Sequence, residues 1–115
     1  MSTQRLKVIG ENAAANFLTE RGFRLVARNW RTRFGELDLV AMEGRTLVFV
    51  EVKARQRADF IDPALGVDYR KQVKLRRLAT AFLAQRTPSY EGCRFDVISV
   101  VAGQSIRVTH IIDAF

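Results

Sequence analysis

The sequence has 115 residues, of which 48% are hydrophobic and 27% charged, which fits one folded domain over residues 1–115 and excludes an intrinsically disordered chain. No apolar run approaches the roughly 18 residues needed to span a bilayer, and the N-terminus has no signal-peptide pattern, so we expect a cytoplasmic protein with no membrane partner. A net charge of +7, with 15 of the 19 basic residues arginine and spread along the chain, favours nucleic acid as a partner, although the charge can serve solubility alone.

The first half of the chain predicts a helix followed by three strands. Apolar residues at three- and four-residue spacing predict a helix over 7–20, which Gly22 ends. Alternating apolar and polar residues predict a strand over 23–30, and apolar runs predict strands over 35–42 and 46–54. The last two strands are joined by "EGR", a turn of hairpin size.

The second half predicts a long helix and two more strands. A loop over 55–66 leads into a helix over about 68–86, which Thr87-Pro88 closes because the residue before proline resists the helical conformation. Strands over 94–101 and 105–112 follow. Cys93 is the only cysteine, which excludes an internal disulfide and argues against a thiolate metal site.

The element order αβββαββ predicts an α/β fold with a mixed sheet. The first three strands should form an antiparallel meander. The second helix is long enough to be a crossover, so the fourth strand should pair in parallel. A near-continuous apolar run such as 47–50 suits a central strand, with the two helices flanking the sheet.

Charged side chains interrupt the two central strands at corresponding places. Residues two apart on a strand share a face, so Glu36 lies with Asp38, and Glu51 with Lys53. The hairpin register predicts that Asp38 faces Val50, the residue before Glu51. Asp38, Glu51 and Lys53 can therefore meet at one place.

Two carboxylates near an ammonium group suit a hard divalent cation, Mg²⁺ or Mn²⁺. Lys53 would then orient the attacking water, lower its pKa or stabilise developing negative charge, as metal-assisted phosphodiester hydrolysis requires. The alternative is structural. Glu51 and Lys53 would be a solvated pair at a strand end, and Glu36 would pair with Arg31 or Arg33.

The segment "GELDLVAMEGRTLVFVEVKAR" resembles the D-x(n)-E-x-K signature of the PD-(D/E)xK nucleases, which have the restriction-endonuclease-like fold. Together with "GENAAANFLTERGFRLVARNWRTRFGELDLVA", "VFVEVKAR" and "RFDVISV", it resembles the YraN-type family of uncharacterised bacterial proteins. The resemblance runs from about Gly10 to Phe115. That family is similar to archaeal Holliday-junction resolvases.

The resemblance implies roles for four residues. Asp38 matches the first metal-binding aspartate, Glu51 the second acidic ligand and Lys53 the catalytic lysine. Glu11 matches a helix glutamate that resolvase-like members bring to the metal; alternatively it is an ordinary glutamate near a helix start. The proline of the motif's name is absent, since Leu37 precedes Asp38.

Other polar residues have two interpretations each. Glu36 is an outer-shell ligand of the metal or a partner for an arginine. Trp30 packs in the core or stacks on a base, and His110 is structural or on the surface. The candidate phosphate contacts, which on the second helix could equally be a solvated face, are Arg31, Arg33, Arg70, Lys71, Lys74 and Arg77. Lys71 matches a family lysine, and Gln72 weakly matches a glutamine near the site in some superfamily members.

The sequence thus favours a Mg²⁺- or Mn²⁺-dependent nuclease acting on DNA, branched or single-stranded. The alternatives are a nucleic-acid-binding module that does not cut and a protein-interaction domain. A branched substrate would require two sites, and therefore a symmetric homodimer. The choice between DNA and RNA stays open.

Overall fold

The structure is a computed structural model that describes residues 1–57, 67–85 and 88–115. Its described elements, in chain order, are α1 (Thr3–Glu20), β1 (Arg24–Thr32), β2 (Gly35–Glu43), β3 (Thr46–Arg55), α2 (Tyr69–Leu83), β4 (Gly92–Ala102) and β5 (Ile106–Ile111). This order confirms the predicted αβββαββ arrangement of an α/β fold. Neither of the described helices is both long and apolar enough to cross a lipid bilayer.

The helix starts are set by side-chain caps. α1 begins four residues before the predicted position because the Ser2 hydroxyl accepts a hydrogen bond from the Arg5 N–H, at 3.1 Å. Gly22 follows its end with φ +87°, as the sequence predicted. Asp68 caps α2 in the same way as Ser2 caps α1, and α2 ends at Leu83, three residues earlier than predicted. β3 extends to Arg55, the first residue of the loop predicted over 55–66. Residues 58–66 of that loop and the predicted stop at Thr87 lie outside the described residues.

The sheet has the strand order β1-β2-β3-β4-β5. β1, β2 and β3 form the expected antiparallel meander. β3 and β4 pair in parallel, from Thr46 with Gly92 to Arg55 with Val101. α2 is therefore the crossover that the sequence predicted, and β5 returns antiparallel to β4.

The central strand β3 is covered on both faces. Leu47 and Phe49 belong to an apolar cluster with α2, whereas Val48 and Val50 belong to a second cluster with α1. All four are at most 3% exposed. Burying each such side chain contributes about 1.5–3 kcal/mol, so these two layers account for the continuous apolar run in the sequence.

The regular structure of β2 is interrupted at Asp38. Leu37 packs in the cluster on the α2 side and Leu39 in the cluster on the α1 side, although residues two apart on a regular strand share a face. The β2–β3 ladder ends where Leu39 faces Val50, one residue away from the predicted register. Beyond that pair the Asp38 carboxylate accepts a hydrogen bond from the Val52 N–H, at 2.8 Å. The Asp38 side chain thus accepts the hydrogen bond that a backbone carbonyl would accept in a regular ladder, and the cleft begins at this point.

Candidate active site

A cleft of about 530 Å³ opens at the end of the β2–β3 ladder, with α1 on one side and α2 on the other. Its charged lining residues are Lys7, Glu11, Glu36, Asp38, Glu51, Lys53, Arg55, Lys71 and Lys74. The carboxylates come from α1, β2 and β3, and the cations come from α1, β3 and α2. Acidic and basic groups from four elements therefore face one space.

Three carboxylates form an acidic cluster in this cleft. Oxygens of Glu11, Glu36 and Asp38 all lie within 4.8 Å of one another. Glu11 is only 3% exposed and Asp38 only 9%. An all-oxygen donor set of this kind suits a hard divalent cation, so the acidic cluster could hold a metal ion. Glu36, expected at the margin of the site, is one of its three members.

Glu11 reaches the cleft because α1 lies very close to β3. A Cβ atom added to Gly10 would stand only 2.5 Å from the Ala54 Cβ, so a side chain there would push the helix away. The Glu11 carboxylate accepts two hydrogen bonds from the Asn29 amide, both at 3.0 Å. Asn29 is held with φ +51° on β1. The Asn29 amide therefore fixes the orientation of the Glu11 carboxylate.

Glu36 is bound by two cations. It accepts hydrogen bonds from the Lys7 ammonium and from Arg31 Nε, the latter at 2.7 Å. Burial raises the pKa of Glu36, but these two hydrogen bonds outweigh it and leave the pKa below its ordinary value. The same contact raises the pKa of Lys7. Glu36 is thus ionised and is also the arginine partner that the sequence offered as an alternative.

The pKa of Asp38 is shifted in the opposite direction to that of Glu36. Burial is the main reason that its pKa rises, and repulsion from Glu51, Glu11 and Glu36 adds to it. The hydrogen bond from Val52 opposes the rise, and the pKa of Asp38 nevertheless reaches about 7. The cluster therefore repels itself electrostatically, and a bound cation would relieve that repulsion.

Glu51 and Lys53 lie in the cleft with Asp38, as the hairpin predicted. Glu51 is 8% exposed and is not one of the three residues of the acidic cluster. It pairs with Lys71 of α2, whose ammonium lies 3.5 Å from Glu51 Oε1. Lys71, a predicted phosphate contact, thus forms an ion pair with Glu51, a predicted metal ligand.

The remaining candidates divide by location. Lys74 lines the cleft and also a neighbouring groove, and Arg33, Arg70 and Arg77 line only that groove. Trp30 packs edge-on against Phe82, with ring centroids 5.3 Å apart, which favours its packing role.

Two further residues lie away from the cleft lining. Gln72 donates to the Val67 carbonyl instead of facing the cleft. His110 is structural, because its Nε2 lies 2.8 Å from the buried carboxylate of Asp96.

Two residues of the site were missed by sequence reasoning. Lys7 lies four residues before Glu11, a spacing that places both on one face of a helix, so that signal was available. Asn29 had no comparable signal, because its contact depends on a positive φ within β1.

The sequence profile described as "Uncharacterised protein family UPF0102" matches residues 10–100, which is most of the chain. The chain belongs to the UPF0102 family. A "UPF0102 protein" of Rhodococcus opacus is 43% identical over 92% of each chain, and one of Dictyoglomus thermophilum is 33% identical over the full length of both. A third, from Nocardia farcinica, is 47% identical over 85% of this chain and 77% of its own.

Membership of UPF0102 is consistent with the resemblance to YraN-type proteins and spans Glu11, the acidic strand residues and α2. The family's description names no activity. The chemistry of this UPF0102 member must therefore be inferred from its cleft.

Proposed function

We propose that this protein is a divalent-metal-dependent nuclease that hydrolyses phosphodiester bonds in DNA. The observation that carries the proposal is the acidic cluster of Glu11, Glu36 and Asp38, which shares one cleft with Glu51 and Lys53. The net charge of +7 supports a polyanionic substrate. Asp38, whose pKa is raised by burial and by the neighbouring carboxylates, is the member of the acidic cluster that a bound cation would stabilise most.

The donor set fits Mg²⁺ or Mn²⁺. The cleft lining offers carboxylate oxygens and neither histidine nor cysteine among the described residues. Asp38 would be the central ligand, with Glu11 on the α1 side and Glu51 on β3, while Glu36 keeps its two cationic partners. When bound, the cation would polarise a water molecule and a phosphate oxygen.

Lys53 lies two residues after Glu51 on β3 and lines the cleft. Its ammonium group would orient the attacking water and stabilise the extra negative charge of the pentavalent transition state. Lys71 and Lys74 on α2 would bind phosphates on either side of the scissile bond. In this proposal β3 supplies Glu51 and Lys53, whereas α2 supplies the lysines that position the phosphates.

The test is a nuclease screen with Mn²⁺ and Mg²⁺ over single-stranded, flapped and four-way DNA. Lys53→Ala and Asp38→Ala should each lower cleavage by about 100-fold or more while circular dichroism shows an intact fold. The matched control is Arg45→Ala. Arg45 is exposed in the β2–β3 turn, at the opposite end of β3 from the cleft, and pairs with exposed Glu91, so its loss should leave cleavage unchanged.

Three outcomes would contradict the proposal. Equal residual cleavage in wild type and both variants would assign the activity to a contaminant. Tight, salt-sensitive DNA binding with no cleavage under any metal would indicate a binding module instead. If Mn²⁺ neither binds nor raises the melting temperature, the acidic cluster is not a metal site and a protein-interaction role is favoured.

A further inference from the structure

A second groove lies beside the cleft, between the β1–β2 turn and the outer side of α2. It has a volume of about 910 Å³. Two aromatic side chains border it and are strongly exposed, Phe34 at 70% and Tyr69 at 79%. Large aromatic side chains usually bury most of their surface, so two of them left open on one groove require an explanation. We call this surface the aromatic groove.

The aromatic groove is cationic. Arg33, Arg70, Lys74 and Arg77 line it, and its described lining contains no carboxylate. Within the described ranges none of these four side chains forms an ion pair. The Arg33 guanidinium lies over the Phe34 ring, 4.9 Å from its centroid, so one ring face already has a cationic partner. The occupant that suits such a surface is anionic and has flat apolar faces.

The aromatic groove is continuous with the cleft. Lys74 and Leu78 line both. Lys74 crosses from α2 over the β1–β2 turn at Gly35, where an added Cβ would stand 2.7 Å from Lys74 Cε. Gly35 has φ +147°, a conformation that favours glycine. The turn thus lets one ammonium group reach both spaces, so a strand leaving the cleft meets the two aromatic rings next.

We propose that the aromatic groove binds unpaired nucleotides adjoining the scissile phosphate. Bases stack on Phe34 and Tyr69 while the four cations contact the backbone phosphates. A duplex keeps its base faces stacked internally and offers them to no protein ring. The protein therefore acts on nucleic acid that is single-stranded next to the cut. This inference rests on the proposed function for the position of the cut, although binding can be measured without cleavage.

Fluorescence anisotropy in EDTA tests the groove directly. The probes are a labelled oligothymidine of about 20 nucleotides, an oligouridine of equal length and a blunt duplex of the same size. Phe34→Ala and Tyr69→Ala should each weaken binding of at least one single strand by about 5- to 150-fold, and duplex binding should change far less. Tyr90→Ala removes a partly exposed aromatic outside the groove lining and should change neither.

Equal effects of Phe34→Ala and Tyr69→Ala on strand and duplex, or no effect, would overturn the inference. The outcome is separable from the nuclease proposal. If single-strand binding depends on Phe34 and Tyr69 but no cleavage is seen, the proposal for the aromatic groove stands and the nuclease proposal fails. Conversely, the protein could cleave blunt duplex in a reaction that Lys53→Ala abolishes and Tyr69→Ala leaves unchanged. In that case the nuclease proposal stands and the proposal for the aromatic groove fails. Arg70→Ala, which deletes a phosphate contact, should instead weaken strand and duplex binding together.

Discussion

Asp38 has three other carboxylates near its own and little access to water. Its pKa of about 7 means that, near neutral pH, the folded protein holds a proton that the unfolded chain has already released, since the ordinary value is 3.8. The folded state therefore loses stability as pH rises from about 4 to about 7. Without a bound cation, Asp38 therefore lowers the free energy of unfolding near neutral pH.

Asp38→Asn should stabilise the metal-free protein at about pH 8, because asparagine carries no charge and its side-chain oxygen can still accept the Val52 N–H. The gain has an upper bound of about 4 kcal/mol and should shrink towards zero near pH 4. Urea unfolding in EDTA at both pH values measures it. A variant less stable than wild type at pH 8 would show that the cluster does not repel Asp38.

The sequence was most informative where local pairing decides position. Asp38, Glu51 and Lys53 were predicted to meet because a short hairpin joins their strands, and the structure places them in one cleft. The contacts of Lys71 with Glu51 and of Asn29 with Glu11 depend on how α2 and β1 dock, which no local pattern encodes.

At the scale of elements, α1 can lie close to β3 because Gly10 has no side chain. The helix could not approach this closely with any other residue. Glu11, the next residue, is carried into the acidic cluster by the same approach. The position of α1 therefore also determines the geometry of the acidic cluster.

Gly10→Ala should shift α1 outward, since the new Cβ would meet Ala54. Overpacking of this kind costs about 1–3 kcal/mol, partly offset by the better helix propensity of alanine. Mn²⁺ affinity, measured by calorimetry, should fall because Glu11 moves away from Asp38. Asn16→Ala, at an exposed position on the same helix, controls for propensity alone. Unchanged Mn²⁺ affinity in Gly10→Ala would remove Glu11 from the site.

Element order and pairing followed from periodicity and loop length, but the break in β2 did not. A strand pattern assumes strict alternation, and "GELDLVAM" reads as regular. The structure changes face between Leu37 and Leu39, because the Asp38 side chain takes over a backbone hydrogen bond. The interruption coincides with the candidate site.

At the scale of the whole molecule, a buried carboxylate outside the cleft ties the C-terminus to the sheet. Asp96 is fully buried and accepts hydrogen bonds from Arg94, at 3.0 Å to Nε, and from the Asp113 N–H, at 2.9 Å. His110 lies 2.8 Å from its other oxygen. β4, β5 and the chain end thus share one acceptor, and nothing in this arrangement faces the cleft.

Asp96→Asn should destabilise the protein by about 1–3 kcal/mol, because a buried amide cannot accept all the hydrogen bonds that Asp96 accepts, although Arg94 keeps Glu43 as a second partner. Thermal unfolding measures the loss. Glu43→Gln, which removes a more exposed partner of the same arginine, should change the melting temperature little. Equal effects of the two substitutions would mean that burial does not strengthen the Asp96 contacts.

The pairing of Glu51 with Lys71 makes the two ends of the cleft dependent on each other. Under the proposed function, a cation that claims Glu51 releases Lys71, and a phosphate that claims Lys71 releases Glu51. Linkage is reciprocal, so each ligand would raise the affinity for the other. Because Lys71 is 40% exposed, the coupling free energy is about 1 kcal/mol or less, which corresponds to a few-fold cooperativity. Each ligand alone would therefore bind somewhat more weakly than it does in the presence of the other.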